Sequence, residues 1–394
     1  MSDTPADYLR LGLRLGRHIE GLVDAYYGPD ELRSRVESEP VREPALLGAD
    51  ADELLASLDG GEGDLDPGRR RWLRGQVVGL ATTARRLDGA PLTYTDEVER
   101  CYGVRPSRVD EDRLAAAHVA LDDALPGSGQ LRERFIAWRD TQTVPPERLE
   151  DALASLREDF RERTDRTFGL PDGEVVDFEL VTERPWSGFN WYLGDLRSRV
   201  AINTDLPVLS TSLGHLVAHE AYPGHHTEHV TKEVGLVRER DQLEETIFLV
   251  GTPQCLVAEG LAELAIEVLL GPQRQAVIAE HLRPLGIPYD AEVVAAVADA
   301  GETVGRARVN VALMLHEDRV EPSEAVAYAE RWELLPTERA EKLVEFLTDP
   351  VWRAYSSCYD EGLPRCRAFV DGDPARFGRL LAEQLLPSDL VSPS

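Results

Sequence analysis

Lysine is almost missing from this chain. Of the 43 basic residues only Lys232 and Lys342 are lysine, and they face 72 aspartates and glutamates for a formal net charge of -29. Such a field repels nucleic acid, so no nucleic-acid partner is expected. A dense acidic surface suits a salt-rich cytoplasm, where screening shortens the range of self-repulsion; the expectation is an acidic, halophilic, cytoplasmic protein. Cysteine is also scarce. The four thiols (Cys101, Cys255, Cys358, Cys366) show no CxxC spacing, which excludes a zinc knuckle and argues for a reducing compartment. No apolar run approaches the ~18 residues that a membrane span needs. The opening MSDTPADYLRLGLRLG carries acidic residues and no apolar core, so neither an export signal nor a membrane partner is expected. No fixed-period repeat stands out, which disfavours a solenoid.

What the chain does have is helical periodicity. LRLGLRLGRHIEGLVDAYY, ADELLASL, RRRWLRGQVVGLATTARRL, VDEDRLAAAHVALDDAL and PERLEDALASLREDFRERT repeat apolar residues at spacings of three and four, with loops at GGEGDLDPG and LPGSGQ. Between Glu174 and Leu206 the texture changes. VVDFELV, FNWYLG and SRVAINT are short β-branched or aromatic runs separated by turns such as ERPWSG, and they predict a small antiparallel sheet of two or three strands. Helical patterns resume from Ser210 to near Leu386. The reading is a mainly α fold with a small sheet before the histidine cluster. It divides into a helical amino-terminal subdomain, 1–170, and a metal-site subdomain, 171–394, interwoven as one unit.

Five of the nine histidines (His215, His219, His225, His226, His229) fall within SLGHLVAHEAYPGHHTEHV. Metalloproteases read H-E-x-x-H on a helix, with two histidines on one face and the glutamate as base. Here Pro223 stands at the position where the second histidine is due. On a straight helix His225 would point to a different face from His219, and His226 would sit ~10 Å further along the axis. Pro223 breaks the helical ladder and Gly224 tolerates unusual dihedrals. A local bulge at Tyr222-Pro223-Gly224 returns His225 to the side of His219, with His226 in reserve. Glu220 occupies the position of a general base.

A catalytic zinc site usually holds three protein ligands and one open position. The third is sought on CLVAEGLAELAIEVLL, where Glu259, Glu263 and Glu267 recur on an otherwise apolar helix. Carboxylates there cost free energy unless paired or metal-bound. Glu259 is chosen because Gly260 beside it admits another backbone; Glu263 is assigned a supporting place, and Glu267 a solvated face. The predicted cofactor is one divalent metal, zinc first, although two imidazoles and a carboxylate also suit manganese, cobalt or iron.

HEAYPGHH resembles the signature H-E-x-x-P-G-H-H of the bacterial and archaeal family called domain of unknown function 885, regarded as helical, zincin-like metallopeptidases. VAEGLAELAIE is similar to that family's E-G-W-A-x-Y-A-E helix, with Leu261 in place of tryptophan and Leu264 in place of tyrosine. GRARVNVALMLHEDRVEPSEAVAYA resembles its arginine, acid, histidine and Q-A-x-x-Y stretch, with Asn310 where an aspartate is usual, and SCYDEG resembles S-Y-x-x-G, placing Tyr359 and Gly362. The resemblance covers roughly residues 190 to 370. It implies His219, His225 and Glu259 as ligands, Glu220 as base, His316 and Tyr359 as donors to an oxyanion, and Arg306 or Arg308 as the holder of a substrate carboxylate.

The resulting expectation is a zinc-dependent amide-bond hydrolase, a peptidase on short peptides, with the free edge of SRVAINT as a platform for extended substrate. The alternatives are a metal hydrolase of a non-peptide amide or ester, and a metal-binding or interaction module without turnover. Oligomeric state, side-chain preference and exo- versus endopeptidase action are left open by the sequence.

Overall fold

A computed structural model describes residues 3–61, 65–183 and 188–391. Residues 62–64 of the GGEGDLDPG loop, and the RPWS of the ERPWSG turn, lie outside the described residues. The chain is mainly helical, with two small sheets among the described residues, and no described helix is long and apolar enough to cross a membrane.

Local signals account for several helices. Asp66 caps Pro67–Leu87 by accepting from the backbone N–H of Gly68 and Arg69, and Pro67 starts that helix where its missing N–H costs nothing. Pro253 starts the helix Pro253–Leu270 in the same way, and that helix is buried along almost its whole first half, as a helix apolar all round should be.

The first predicted helix is shorter than its pattern. It ends at Gly16, and the continuation VDAY forms a strand, β1 (Val23–Tyr26). Gly21, at φ +84, turns the chain between them. β1 pairs antiparallel with β5 (Ile247–Leu249), a strand more than two hundred residues away. That pairing is invisible to local periodicity.

The second sheet contains β2 (Val175–Val181), β3 (Gly188–Gly194) and β4 (Arg197–Asn203), in the order β2-β4-β3. The three predicted strands are present, but the sheet is mixed, which corrects the antiparallel expectation. β3 and β4 form a hairpin through Asp195 and Leu196, both at positive φ as a tight hairpin turn demands. The remaining edge of β4 is taken by β2, which runs parallel to it. β4 is therefore central, and its Ser198, Val200, Ala201 and Ile202 are buried. The predicted free edge at SRVAINT is taken up by pairing on both sides; β2 and β3 are the edge strands instead.

Three apolar clusters form the main core, and each combines residues from both sides of position 170. Leu149, Leu156 and Phe160 pack with Val200, Leu213 and Leu261. Tyr94, Val98 and Tyr102 pack with Leu256, Ala312 and Tyr355. Tyr8, Leu47 and Trp72 pack with Ile247 and Leu249. The two halves of the sequence thus share their cores.

Candidate metal centre

The histidine segment folds as two helices, Ser210–Glu220 and His225–Lys232. The expected bulge within one helix is replaced by a complete break over residues 221–224, with a cis Tyr222–Pro223 peptide bond. Gly224 turns back against the end of the first helix, its N–H donating to the Ala218 carbonyl at 2.8 Å. A Cβ on residue 224 would lie 1.9 Å from the His219 carbonyl oxygen, so only glycine fits. The break reorients His225 until its ring centroid is 4.8 Å from that of His219.

Glu259 reaches the same point from Pro253–Leu270. His219 Nε2 is 3.4 Å from Glu259 Oε2, and His225 Nε2 is 3.7 Å from Glu259 Oε1. Ligand bonds of 2.0–2.2 Å in a tetrahedral arrangement separate donor atoms by about 3.3–3.6 Å, so the set is close to the size zinc requires. Burial holds both imidazoles neutral, each at a pKa of about 4, which leaves their lone pairs available. Glu259 Oε2 is buried without a hydrogen-bond partner. Such an atom is costly unless something else satisfies it, and a cation between these groups would do so. The residues present therefore fit a divalent metal.

The neighbours of this group hold it in place. Tyr355 donates its hydroxyl hydrogen to Glu259 Oε1. Glu263 Oε1 lies 3.6 Å from His219 Nδ1 and 3.7 Å from His215 Nε2, on the far side of the His219 ring. His215, His219 and Glu263 also make a second three-residue group of possible ligands. Glu267 pairs with Arg367 at 3.0 Å. Behind the site, Gly260 and Gly362 bring the helices Pro253–Leu270 and Ser357–Val370 into backbone contact, where a Cβ on Gly260 would meet the Gly362 carbonyl carbon at 2.6 Å.

His226 turns away from the cluster. Its Nε2–H donates to Glu174 Oε2 at 2.8 Å, and its Nδ1 accepts from Ser198 Oγ at 2.8 Å. Tyr222 donates to the same Glu174 oxygen at 2.6 Å. This buried network ties the second histidine helix to Glu174, the residue before β2, and to Ser198 on β4. Of the two histidines left open by the sequence, His225 faces Glu259 and His219.

A cavity opens over the group, lined among others by Asp24, Phe189, His219, Glu220, His225 and Glu259. Glu220 presents its carboxylate to this space. Burial first, then the charges of Glu259, Asp24 and Glu263, push its pKa well above the usual carboxylate range. Asn190 on β3 donates to the Glu220 backbone carbonyl at 2.6 Å, fixing the end of the helix that carries the base. Tyr359 also lines the cavity, and its pKa is raised by burial and by Glu259 and Glu220.

Two predicted site residues lie elsewhere. His316 stacks on Tyr94 at 4.8 Å and its Nε2–H donates to the Leu347 carbonyl at 2.7 Å, so it does not line the cavity and has its ring hydrogen committed. Arg306 ends the helix Ala291–Gly305, outside the cavity lining. Arg308, the other arginine considered, pairs with Asp360 at 2.9 Å and stacks over Tyr359. Neither arginine is placed to hold a substrate carboxylate. Sequence reasoning missed Asp24, Asn190 and Tyr355. Only Tyr355 left a signal, its spacing of four from Tyr359.

No family model matches the chain, and no curated protein does. Among solved structures, a candidate lipoprotein from Colwellia psychrerythraea aligns over 92% of this chain and 68% of its own, with a TM-score of 0.55 at 15% identity. That likeness shows a shared fold. A candidate lipoprotein of unknown function from Shewanella oneidensis aligns over 86% of this chain and 70% of its own, at TM-score 0.44 and 11% identity. An M32 carboxypeptidase from Deinococcus radiodurans R1 aligns over 95% and 87%, at TM-score 0.35 and 14% identity.

Proposed function

We propose that this chain is a metal-dependent amide-bond hydrolase acting on short peptides, with His219, His225 and Glu259 as ligands to one divalent ion, zinc first. The observation that carries this reading is the buried, unpartnered Glu259 Oε2 facing His219 Nε2 at 3.4 Å, with the free carboxylate of Glu220 in the same cavity. The resemblance to the domain of unknown function 885 family agrees with it, and so does a cytoplasmic setting for four unpaired, buried thiols.

Bound zinc would supply Lewis-acid polarisation of the carbonyl and acidify water to near neutral pH. Glu220 takes the proton from the attacking water and delivers it to the departing amine. Tyr359 donates its hydroxyl hydrogen to the oxygen on which negative charge develops. Extended substrate lies along β3, whose Gly188, Phe189 and Asn190 line the cavity and whose outer edge replaces the one first expected on β4.

The test is elemental analysis of the purified protein followed by turnover of a peptide library. One metal per chain with cleavage supports the proposal. A metal-loaded protein that cleaves no peptide would overturn it.

A further inference from the structure

One carboxylate in the cavity has no part in this chemistry. Asp24 sits on β1, at an irregularity in its pairing with β5: Val23 lies opposite Leu249 and Ala25 opposite Phe248, so two steps along β1 match one step along β5 and Asp24 is the extra residue. A bulge of this kind breaks the alternation of a strand and re-aims a side chain, and bulges are common beside active sites. Here the bulged residue lines the cavity that holds Glu220 and Glu259. Among the described residues its carboxylate makes no hydrogen bond or ion pair with the protein. Burial and the nearby Glu259 charge raise it to about 7.

The rest of the lining gives this carboxylate its meaning. Among the described residues no lysine or arginine lines the cavity; the titratable groups there are Asp24, Glu220, Glu259, three histidines held neutral by burial, and two tyrosines. Apart from Asn190, the remaining described wall is apolar and aromatic, including Phe189, Phe248 and Trp352. Recognition of a peptide's terminal carboxylate would call for a cationic side chain, and the described lining offers none. A partly enclosed acidic group between aromatic walls calls for a cation from the substrate.

We infer that Asp24 binds the free α-ammonium group of the substrate, making the enzyme an aminopeptidase or dipeptidase specific for unblocked amino termini. The inference rests on the hydrolase reading above and adds the substrate class. The ammonium pairs with the Asp24 carboxylate, which fixes the first peptide carbonyl near Glu220 and leaves the first side chain against the aromatic wall. An acylated terminus has lost the charge and offers the partly buried Asp24 carboxylate no cationic partner.

Binding and turnover separate this inference from the reading it rests on. Leucine hydroxamate and N-acetyl-leucine hydroxamate are titrated calorimetrically into zinc-loaded wild type and Asp24→Asn. The free-amine compound should bind wild type at least about 30-fold more tightly than the acetylated one, and Asp24→Asn should erase that difference while leaving the acetylated compound unchanged. Equal affinities in wild type would overturn the inference, whether or not peptides are cleaved. Discrimination that survives in Asp24→Asn would overturn it as well, as would two zinc equivalents in wild type that fall to one in the variant, since Asp24 would then be a ligand. In turnover, free leucyl peptides should be cleaved and their N-acetyl forms spared, with the loss in Asp24→Asn expressed in KM. If hydroxamates discriminate but no peptide is cleaved, amine recognition stands and the hydrolase reading falls.

Discussion

Tyr355 donates its hydroxyl hydrogen to Glu259 Oε1, while the other oxygen of that carboxylate faces His219 without a protein partner. One oxygen is thus fixed by the protein and the other is left to a ligand. Partners that orient a metal-binding group typically contribute 10–100-fold to affinity. Tyr355→Phe should weaken zinc binding by about that factor, read by competition with a chelator of known affinity, while the apo protein keeps its helical circular dichroism. Unchanged affinity would mean that Tyr355 serves packing alone.

Gly260 and Gly362 make a second dependence of the site on its scaffold. A Cβ on Gly362 would stand 2.6 Å from the Leu256 carbonyl oxygen, and one on Gly260 would lie 2.7 Å from Cys366 Sγ. Overfilling such a contact costs roughly 1–3 kcal/mol and pushes the two helices apart. Gly362→Ala should lower the melting temperature and, because Glu259 adjoins Gly260 and Tyr359 precedes Gly362 by three residues, reduce zinc content as well. Full metal loading at a lowered melting temperature would limit the role of the contact to stability.

The parts of the site legible in the sequence are those written in neighbouring residues. His219, Glu220 and His225 lie within seven positions, and Glu259 stands out as a charge on an apolar helix. Gly260 announced a close backbone approach, and Gly362 supplies it. Asp24 was concealed inside an apparently helical run, because β1 exists only through pairing with β5 across the chain. The direction of β2 was hidden for a related reason: consecutive strands suggest hairpins, but β3 and β4 had already closed one, leaving β4's other edge for β2. His316 and Arg306 matched a motif in one dimension, yet the pairing of His316 with Leu347 and Tyr94 is a tertiary fact with no local signal.

The network around Glu174 predicts sensitivity to acid. Burial raises its carboxyl pKa, but hydrogen bonds from His226 and Tyr222 and the Arg161 charge outweigh this and hold it below its ordinary 4.5. A carboxyl depressed in the folded state adds stability above its unfolded pKa and loses it as pH falls through the folded one. Burial keeps His226 neutral below its ordinary 6.5, so the unfolded chain takes up that proton more readily and unfolding is favoured as pH drops below this value. Both effects act in the same direction. Urea unfolding at a series of pH values should show stability falling from about pH 6.5 downward, and more steeply below 4.5. Glu174→Gln should lose about 1–3 kcal/mol at pH 7 and show a shallower acid limb. A variant with the wild-type pH profile would remove Glu174 from this account.

Glu220→Gln separates a working site from a metal-binding scaffold. Glu220 lies in the cavity beside the ligand group but is not one of the residues facing Glu259 at ligand distance, so an amide in its place leaves the donor set intact. The amide cannot accept a proton, and removal of a positioned general base costs typically 10²–10⁴-fold. The variant should retain one metal per chain by elemental analysis, keep its melting temperature or raise it as a buried charge is removed, and lose peptide turnover by about that factor. Glu259→Gln is the matching control. It keeps the base but weakens the ligand set, so it should lose metal first and activity as a consequence, recoverable with excess zinc. If Glu220→Gln lost metal as readily as Glu259→Gln, the division between ligand and base would be wrong; if it cleaved peptides at the wild-type rate, another group would have to move the proton.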